Sequence, residues 1–175
     1  VVLTERLPES QLTVFELISL GRQPYTNWID TLSKADLEKI ETAIKQTEIG
    51  HLKNQRFHEL SDGQLQRVLI ARALAQDTDV IILDEPTAHL DMHQTINIFS
   101  LLQQLVKQTN KTIIVSSHEI NLALKLSDEI ILLTENNLQF GTTEALIAKN
   151  AFDKLFPNNL LKFNKSLQQF VINKT

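Results

Sequence analysis

The sequence predicts an α/β protein in which a helical segment precedes a parallel sheet. Residues 8–76 carry apolar side chains at helical spacing, with capping residues where helices would begin. From residue 77 onward the period changes, and short runs of β-branched residues alternate with helical segments. Such alternation is typical of a sheet with parallel crossovers. The runs are Val80–Leu83, Thr112–Ser116 and Ile130–Leu133.

Three helices are predicted in the helical segment. Thr13 and the glutamate three residues later fit a capping box, in which each side chain accepts from the other residue's backbone N–H. We expect this first helix to stop at Gly21, where a positive φ costs little. A second helix is predicted to begin near Ser33 and end near Gly50, and a third to follow Ser61.

The parallel layer is predicted to span Asp77–Leu133, with helices near Gln94–Lys107 and Ile120–Leu126 between its strands. We expect each strand to be covered on both faces, because continuous β-branched runs are typical of buried parallel strands. Asn136-Asn137 is predicted at the tip of a hairpin that returns through Leu138–Phe140, and a short helix over Thr143–Lys149 is predicted after it. The last two predicted strands are Leu160–Phe163 and Gln168–Ile172.

Composition excludes several classes of protein and site. Seventeen basic and 21 acidic residues give a net charge of −4, which argues against a broadly basic nucleic-acid-binding surface. The absence of cysteine excludes disulfides, thiol catalysis and cysteine-ligated metals. No apolar run approaches the roughly 20 residues that span a bilayer. The four glycines are too far apart for G-x-x-x-x-G-K or G-x-G-x-x-G, so this sequence contains no phosphate-binding glycine loop.

The start of the third helix, Ser61-Asp62-Gly63-Gln64, has two interpretations. Ser61 and Gln64 fit a capping box, so helix initiation alone explains both residues. A serine hydroxyl, a glycine N–H and a helix N-terminus also suit a terminal phosphate. Asp91 precedes the next helix, where an aspartate is most often an N-cap.

Two further candidates follow predicted strands. Open parallel sheets bind ligands beyond the carboxyl ends of their strands, which is where Asp84-Glu85-Pro86 stands. There Asp84 could hold a magnesium-bound water and Glu85 could polarise an attacking water. Pro86 is expected to keep Glu85 out of helical backbone angles. A solvated acidic turn is the alternative. His118, after the second strand, could donate to a phosphate oxygen or be an ordinary surface side chain.

The order and spacing of these features resemble the ATP-binding-cassette (ABC) ATPase family over nearly the whole chain. Leu60–Gln64 resembles the signature motif of the helical subdomain, and Val80–Glu85 resembles the Walker B strand with its catalytic glutamate. Ala88–Asp91 resembles the D-loop, and His118 resembles the switch histidine. The resemblance implies a P-loop NTPase fold, composed of a helical subdomain and a parallel-sheet, RecA-like part.

The resemblance also implies ATP and Mg²⁺ as cofactors, bound between two copies packed head to tail. Ser61, Gly63 and Gln64 would then serve the γ-phosphate held by the opposite copy. Asp91 would lie at the interface. The acidic pair and the switch histidine would serve the nucleotide on their own side, with Asp84 holding magnesium through water.

The chain departs from the family pattern in three places. It has no Walker A lysine or glycine loop, so we expect it to be the C-terminal portion of a longer subunit. We predict that residues 1–175 alone are inactive and do not hold Mg-ATP in the usual way. Asp62 replaces the more frequent second glycine and is tolerable if its side chain points outward. Glu5 stands near the family's glutamine, as a magnesium ligand or as an ordinary exposed acid.

Residues Leu12–Trp28 are similar to the ATPases of importers for iron–siderophore, haem and cobalamin. That similarity implies a surface for an integral-membrane permease, with Tyr25 and Trp28 either contacting it or packed beneath the loop at Pro24. It further implies a homodimer in the cytoplasm, peripheral on the inner face of the bacterial cytoplasmic membrane, without a nucleic-acid partner.

The predicted organisation has four parts, and two other functions stay open. The parts are the end of a core strand (1–7), the helical subdomain (8–76), the RecA-like part (77–141) and a helix-and-hairpin extension (142–175). One alternative function is a non-catalytic, ABC-like interaction module. The other is a DNA-repair ABC ATPase, which is disfavoured because Leu7–Leu60 is too short for the long coiled coil of that class.

Overall fold

The structure is a computed structural model that describes residues 11–26, 31–134, 137–153, 155–156 and 161–173. The chain divides into two compact units, unit 1 (Val1–Ser117) and unit 2 (His118–Thr175). This division falls inside the 77–141 segment that the sequence predicts as one RecA-like part. The four-part organisation itself stays a prediction.

Unit 1 contains four helices and two strands among its described residues, joined in part by 3₁₀ turns. The capping boxes predicted at Thr13 and Ser61 are confirmed, and a third one begins the second helix at Ser33. The elements are α1 (Val14–Ser19), α2 (Lys34–Gln46), α3 (Asp62–Ala75), β1 (Val80–Asp84), α4 (Met92–Gln108) and β2 (Thr112–Ser116), with 3₁₀ turns at Leu20–Tyr25, Gly50–Leu52 and Phe57–Glu59.

Two predicted helix ends are wrong, and each has a physical reason. Gly21 does not take a positive φ, because α1 continues directly into a 3₁₀ turn that contains it. A glycine stands there because α3 passes so closely that a Cβ would lie 2.4 Å from the carbonyl oxygen of Arg72. α2 ends at Gln46 rather than near Gly50, and Glu48 takes the left-handed backbone conformation, with φ of 60°.

β1 and β2 form a parallel pair whose carboxyl ends meet at Asp84 and Ser116. Apolar residues of α4 and alternate residues of β1, such as Leu83, share one core. On the other face of β1, Val80 and Ile82 are 49% and 48% exposed. The prediction that this strand is covered on both faces is therefore wrong for the described part of the chain.

The core of unit 1 joins its helices to the covered side of the strands. α1, α2 and α3 pack on one another, and small alanines on α3 permit their close approach. A fully buried valine, leucine or isoleucine side chain stabilises the fold by about 1.5–3 kcal/mol. The residues with the most complete burial include Leu17, Ile18, Ile40, Val68, Ile70, Leu83, Ile98 and Leu105.

The hairpin predicted after the strand at Ile130–Leu133 is confirmed, but the parallel partner predicted for that strand is not found in the described structure. The strand at Ile130–Leu133 does not extend a parallel layer in the described structure but pairs with the next strand as an antiparallel hairpin. Only residues 135–136 separate the two strands, a length that favours a hairpin; Asn136 lies outside the described residues and Asn137 lies within the second strand. The elements are α5 (Ile120–Leu126), β3 (Ile130–Thr134), β4 (Asn137–Gly141), α6 (Thr143–Ala148), β5 (Leu161–Asn164) and β6 (Gln169–Ile172).

Three phenylalanines form the centre of the unit 2 core. The ring centroids of Phe152 and Phe163 are 4.7 Å apart, and those of Phe163 and Phe170 are 5.1 Å apart. Aromatic pairs at such separations stabilise a fold by about 0.5–1.5 kcal/mol beyond the contribution of their buried area. They hold the β5–β6 hairpin, which the sequence predicts and the structure confirms.

The described helices are short relative to a bilayer. The longest of them, α4, has 17 residues, whereas a spanning helix needs about 20 predominantly apolar ones. Within the described ranges, none of the helices has the length and hydrophobicity that crossing a membrane requires.

Candidate functional site

The predicted acidic pair stands at the carboxyl end of the parallel pair. Asp84 is the last residue of β1 and lies opposite Ser116 of β2. The Ser116 hydroxyl donates to Oδ1 of Asp84 at 2.5 Å and accepts from the backbone N–H of Glu85 at 2.9 Å. Glu85 has φ of 45°, outside right-handed helical angles as predicted, but in the left-handed region rather than the extended one that a following proline favours.

The start of α3 shows the capping geometry predicted from Ser61 and Gln64. The backbone N–H of Gln64 donates to the Ser61 hydroxyl at 3.3 Å, and Gln64 Oε1 accepts from the Ser61 N–H at 3.0 Å. The side chain of Asp62 is exposed, as its tolerance near a phosphate requires. Gly63 is half-buried, and a Cβ there would lie 3.2 Å from Cδ of Gln94. The capping interpretation is confirmed, and the phosphate-binding role stays a prediction.

Asp91 is the N-cap of α4. Its carboxylate accepts from the backbone N–H of Gln94 at 2.8 Å, and the side chain remains exposed. Because Gln94 also approaches Gly63, the starts of α3 and α4 lie side by side in unit 1. The side chain of Gln94 therefore connects the helix capped by Asp91 to the motif that begins at Ser61.

The structure gives less information about the remaining predicted site residues. His118 is exposed and begins unit 2, where its carbonyl oxygen accepts from the Ile120 N–H at 2.9 Å. Because His118 and the acidic pair belong to different units, their predicted cooperation stays a prediction. Glu5 and Trp28 lie outside the described residues.

Tyr25 is not packed beneath its loop, because 53% of its surface is exposed. Its ring lies against the guanidinium of Arg22, 4.1 Å from ring centroid to Cζ. The Arg22 side chain is buried, donates to Oδ1 of Asp36 at 2.8 Å and to the carbonyl oxygen of Ala75 at 3.0 Å. Arg22 thus ties the turn below Tyr25 to both α2 and the end of α3.

The carboxylate of Asp36 is strongly stabilised in its charged form. Hydrogen bonds from the hydroxyl and the backbone N–H of Ser33, and then the Arg22 guanidinium, lower its pKa from 3.8 to about 2. Sequence reasoning missed both Arg22 and Asp36. The available signal was an arginine placed between apolar helical residues and an aromatic ring, which is weak without the fold.

The donor chemistry at the acidic pair fits Mg²⁺. Across the described segments no three or more His, Asp or Glu side chains form a metal cage. Mg²⁺ does not need one, because it is usually held by one or two carboxylates together with phosphate oxygens and waters. Asp84 is exposed, and the bond from Ser116 engages its Oδ1. Its other carboxylate oxygen, Oδ2, is the natural acceptor for a metal-bound water.

A groove in unit 1 lies away from the acidic pair. It has a volume of about 480 Å³ and is lined by residues such as Lys39, Asp77 and Lys111. Asp77 and Lys111 precede β1 and β2, so this groove lies at the amino ends of the strands. Ligands of open parallel sheets bind at the carboxyl ends, which disfavours this groove as the nucleotide site.

The sequence is similar to proteins of known family. Residues 2–88 match the family described as ABC transporter. The chain is 38% identical over 149 residues to the probable siderophore transport system ATP-binding protein YusV of Bacillus subtilis, covering 85% of this chain and 54% of YusV. It is 44% identical over 120 residues to the achromobactin transport ATP-binding protein CbrD of Dickeya dadantii, covering 69% of this chain and 45% of CbrD. The chain spans about half the length of these relatives.

Solved structures show the same similarity. A structure assigned to a metal-chelate type ABC transporter in an inward-facing conformation matches with a TM-score of 0.80 and 27% identity, covering 95% of this chain and 67% of that one. The dimeric structure of MJ0796, a bacterial ABC transporter cassette, matches with a TM-score of 0.59 and 31% identity, covering 75% of this chain and 56% of that one. These matches confirm the predicted fold class.

Proposed function

This chain belongs to the ABC transporter family of ATP-binding proteins, and on that premise we propose that it carries the signature, Walker B and switch motifs of an importer's ATP-hydrolysing subunit. The observation that carries the proposal is the acidic pair at the carboxyl end of β1, held by Ser116. The cargo class is iron–siderophore, haem or cobalamin. The names of YusV and CbrD favour a siderophore.

The acidic pair divides the work of hydrolysis. Glu85 accepts a proton from the attacking water as general base, and Asp84 is the residue that would hold magnesium, through a water. Magnesium, when bound, neutralises charge on the transferring phosphate. His118 donates a hydrogen bond to an oxygen of the same phosphate.

A second copy of the chain completes each site. Ser61, Gly63 and Gln64 face the γ-phosphate bound by the partner, where the start of α3 supplies backbone N–H groups and the positive end of the helix dipole. Asp91 lies at the interface between the copies. The dimeric cassette MJ0796 supports this arrangement by analogy.

The turn that ends at Tyr25 is the proposed contact for an integral-membrane permease, together with Trp28. Tyr25 is exposed yet held in place by Arg22, and a rigid aromatic side chain is typical of interface hot spots. The protein is then peripheral on the inner face of the bacterial cytoplasmic membrane. A magnesium role for Glu5 belongs to the same proposal.

The test is hydrolysis of Mg-ATP by the protein expressed from its complete reading frame. Reading that frame upstream of Val1 for G-x-x-x-x-G-K-[ST] comes first. Glu85→Gln is expected to lower turnover by about 10²–10⁴-fold while ATP binding is kept, because it removes only the general base. Glu38→Gln, an exposed change on α2, is the matched control and is expected to leave turnover unchanged.

The outcomes separate the candidate functions. Loss of turnover with retained binding, and a doubled mass of Glu85→Gln in the presence of ATP, support the proposal. Unchanged turnover in Glu85→Gln removes Glu85 from the role of base. A wild-type protein with neither a glycine loop upstream nor any ATP hydrolysis would instead indicate the non-catalytic interaction module.

A further inference from the structure

We infer that Ser116 is a positioning residue for the acidic pair, acting through its one hydroxyl on both Asp84 and Glu85. The inference rests on the proposed ATP hydrolysis, in which those two residues act directly. It begins from the register, because Ser116 is the β2 residue directly opposite Asp84 at the end of the parallel pair.

The hydroxyl of Ser116 acts as both a hydrogen-bond donor and a hydrogen-bond acceptor. It donates to Oδ1 of Asp84 at 2.5 Å, a distance typical of a charge-assisted bond to a carboxylate. It accepts from the backbone N–H of Glu85 at 2.9 Å. A hydroxyl has one proton to donate and lone pairs to accept with, so these two bonds have a single compatible direction.

The hydrogen bond from the Glu85 N–H stabilises a backbone conformation that is unfavourable for glutamate. Glu85 has φ of 45°, in the left-handed region that is unfavourable for residues other than glycine and persists only where surrounding contacts hold it. Its N–H is held by Ser116, and its carbonyl oxygen accepts from the Ala88 N–H at 3.0 Å. Hydrogen bonds therefore fix the peptide groups on both sides of Glu85. This fixes the direction in which its side chain leaves the backbone.

The bond to Asp84 sets the orientation of the carboxylate. With Oδ1 engaged by Ser116, Oδ2 is the oxygen available to a metal-bound water. Residues that hold a metal-directed group in this way are worth about 10–100-fold in metal affinity or activity. Residues 112–115 are threonine, isoleucine and valine, which favour strands, whereas serine does not. The hydroxyl, and not strand propensity, explains the residue at position 116.

The test compares Ser116→Ala with Ser116→Thr, which keeps the hydroxyl and suits a strand. The first measurement is amide hydrogen exchange of Glu85 by NMR, on the full chain without nucleotide or metal. We expect exchange in Ser116→Ala to be about three- to tenfold faster, as loss of one hydrogen bond implies, and to return to the wild-type rate in Ser116→Thr. Ser100→Ala, an exposed serine on α4, is the control.

The second measurement is ATP turnover in the protein expressed from its complete reading frame. Ser116→Ala is expected to lower kcat about 10–100-fold and to raise the magnesium requirement, with Kd for ATP unchanged and with rescue by threonine. An unchanged exchange rate at Glu85, or faster exchange with unchanged turnover, overturns the role of Ser116. A wild-type protein without turnover refutes the proposed function itself, and with it a catalytic role for this bond.

Discussion

Gly21 provides the sharpest test of how the helices of unit 1 pack. In Gly21→Ala the new Cβ would lie 2.4 Å from the carbonyl oxygen of Arg72 and 3.3 Å from Cβ of Ala75. The first distance is roughly 1 Å short of an ordinary carbon–oxygen contact of about 3.3 Å. Since the obstacle is helix backbone, no side-chain rotation relieves it. The turn and α3 must move apart.

Overpacking of this kind typically costs 1–3 kcal/mol, and a clash with backbone belongs at the upper end, about 3 kcal/mol. With an m-value of about 2 kcal/mol/M, the urea midpoint of unit 1 falls by about 1.5 M. The assay is urea unfolding followed by far-UV circular dichroism and by fluorescence of the single tryptophan, Trp28.

Gly50→Ala is the matched control, because the nearest atom to a Cβ there is Cγ2 of Ile44 at 4.0 Å. It is expected to leave stability unchanged or to raise it by about 0.4–1 kcal/mol, through the smaller conformational entropy of the unfolded chain. Equal midpoints for Gly21→Ala and Gly50→Ala would refute the close approach of α3 to this turn.

Two further predictions concern charged groups of unit 1. The pKa of Asp36 is about 2 in the folded protein, below its ordinary 3.8, so its contribution to stability is complete above pH 4 and is lost as the pH falls toward 2. Asp36→Asn should therefore remove part of the acid dependence of the urea midpoint between pH 4 and 2, and an unchanged dependence would contradict the ion pair. The carboxylate of Asp77 is 2.7 Å from Nζ of Lys39 and 2.9 Å from Nζ of Lys111. Asp77→Asn should therefore lower the free energy of unfolding by about 1 kcal/mol. Because asparagine tolerates the positive φ of 56°, the loss should fade in 1 M NaCl, and a salt-independent loss would indicate another cause.

Local features of the fold could be predicted from neighbouring residues. The capping boxes at Thr13 and Ser61 need only residues three apart, and both are confirmed. The position of Asp84 at a strand end follows from an apolar run that stops there. Pro86 predicts that Glu85 avoids right-handed helical angles, but it does not predict the positive φ of 45° that Glu85 adopts.

Contacts between distant segments could not be predicted in the same way. Ser116 is 32 residues from Asp84, and no local pattern indicates that its hydroxyl serves both members of the acidic pair. Arg22 is 53 residues from the carbonyl of Ala75, and the crowding at Gly21 depends on the same approach of α3. The hairpin that joins β3 to β4 was predicted correctly from the short connection between them. The place of β3 in a parallel layer was not, because a strand's side-chain pattern does not specify a partner distant in the sequence.

The order of motifs along the chain sufficed to determine the family and the fold class, because each motif is a short string whose chemistry depends on adjacent residues. Tertiary structure alone decided that Gly21 is required for contact rather than for φ, and that one serine hydroxyl bridges the acidic pair. The physical reason is the separation along the chain of the residues that interact. Caps and turns are set by hydrogen bonds within a few residues, whereas packing distances and strand partners depend on which distant segments the whole fold brings together.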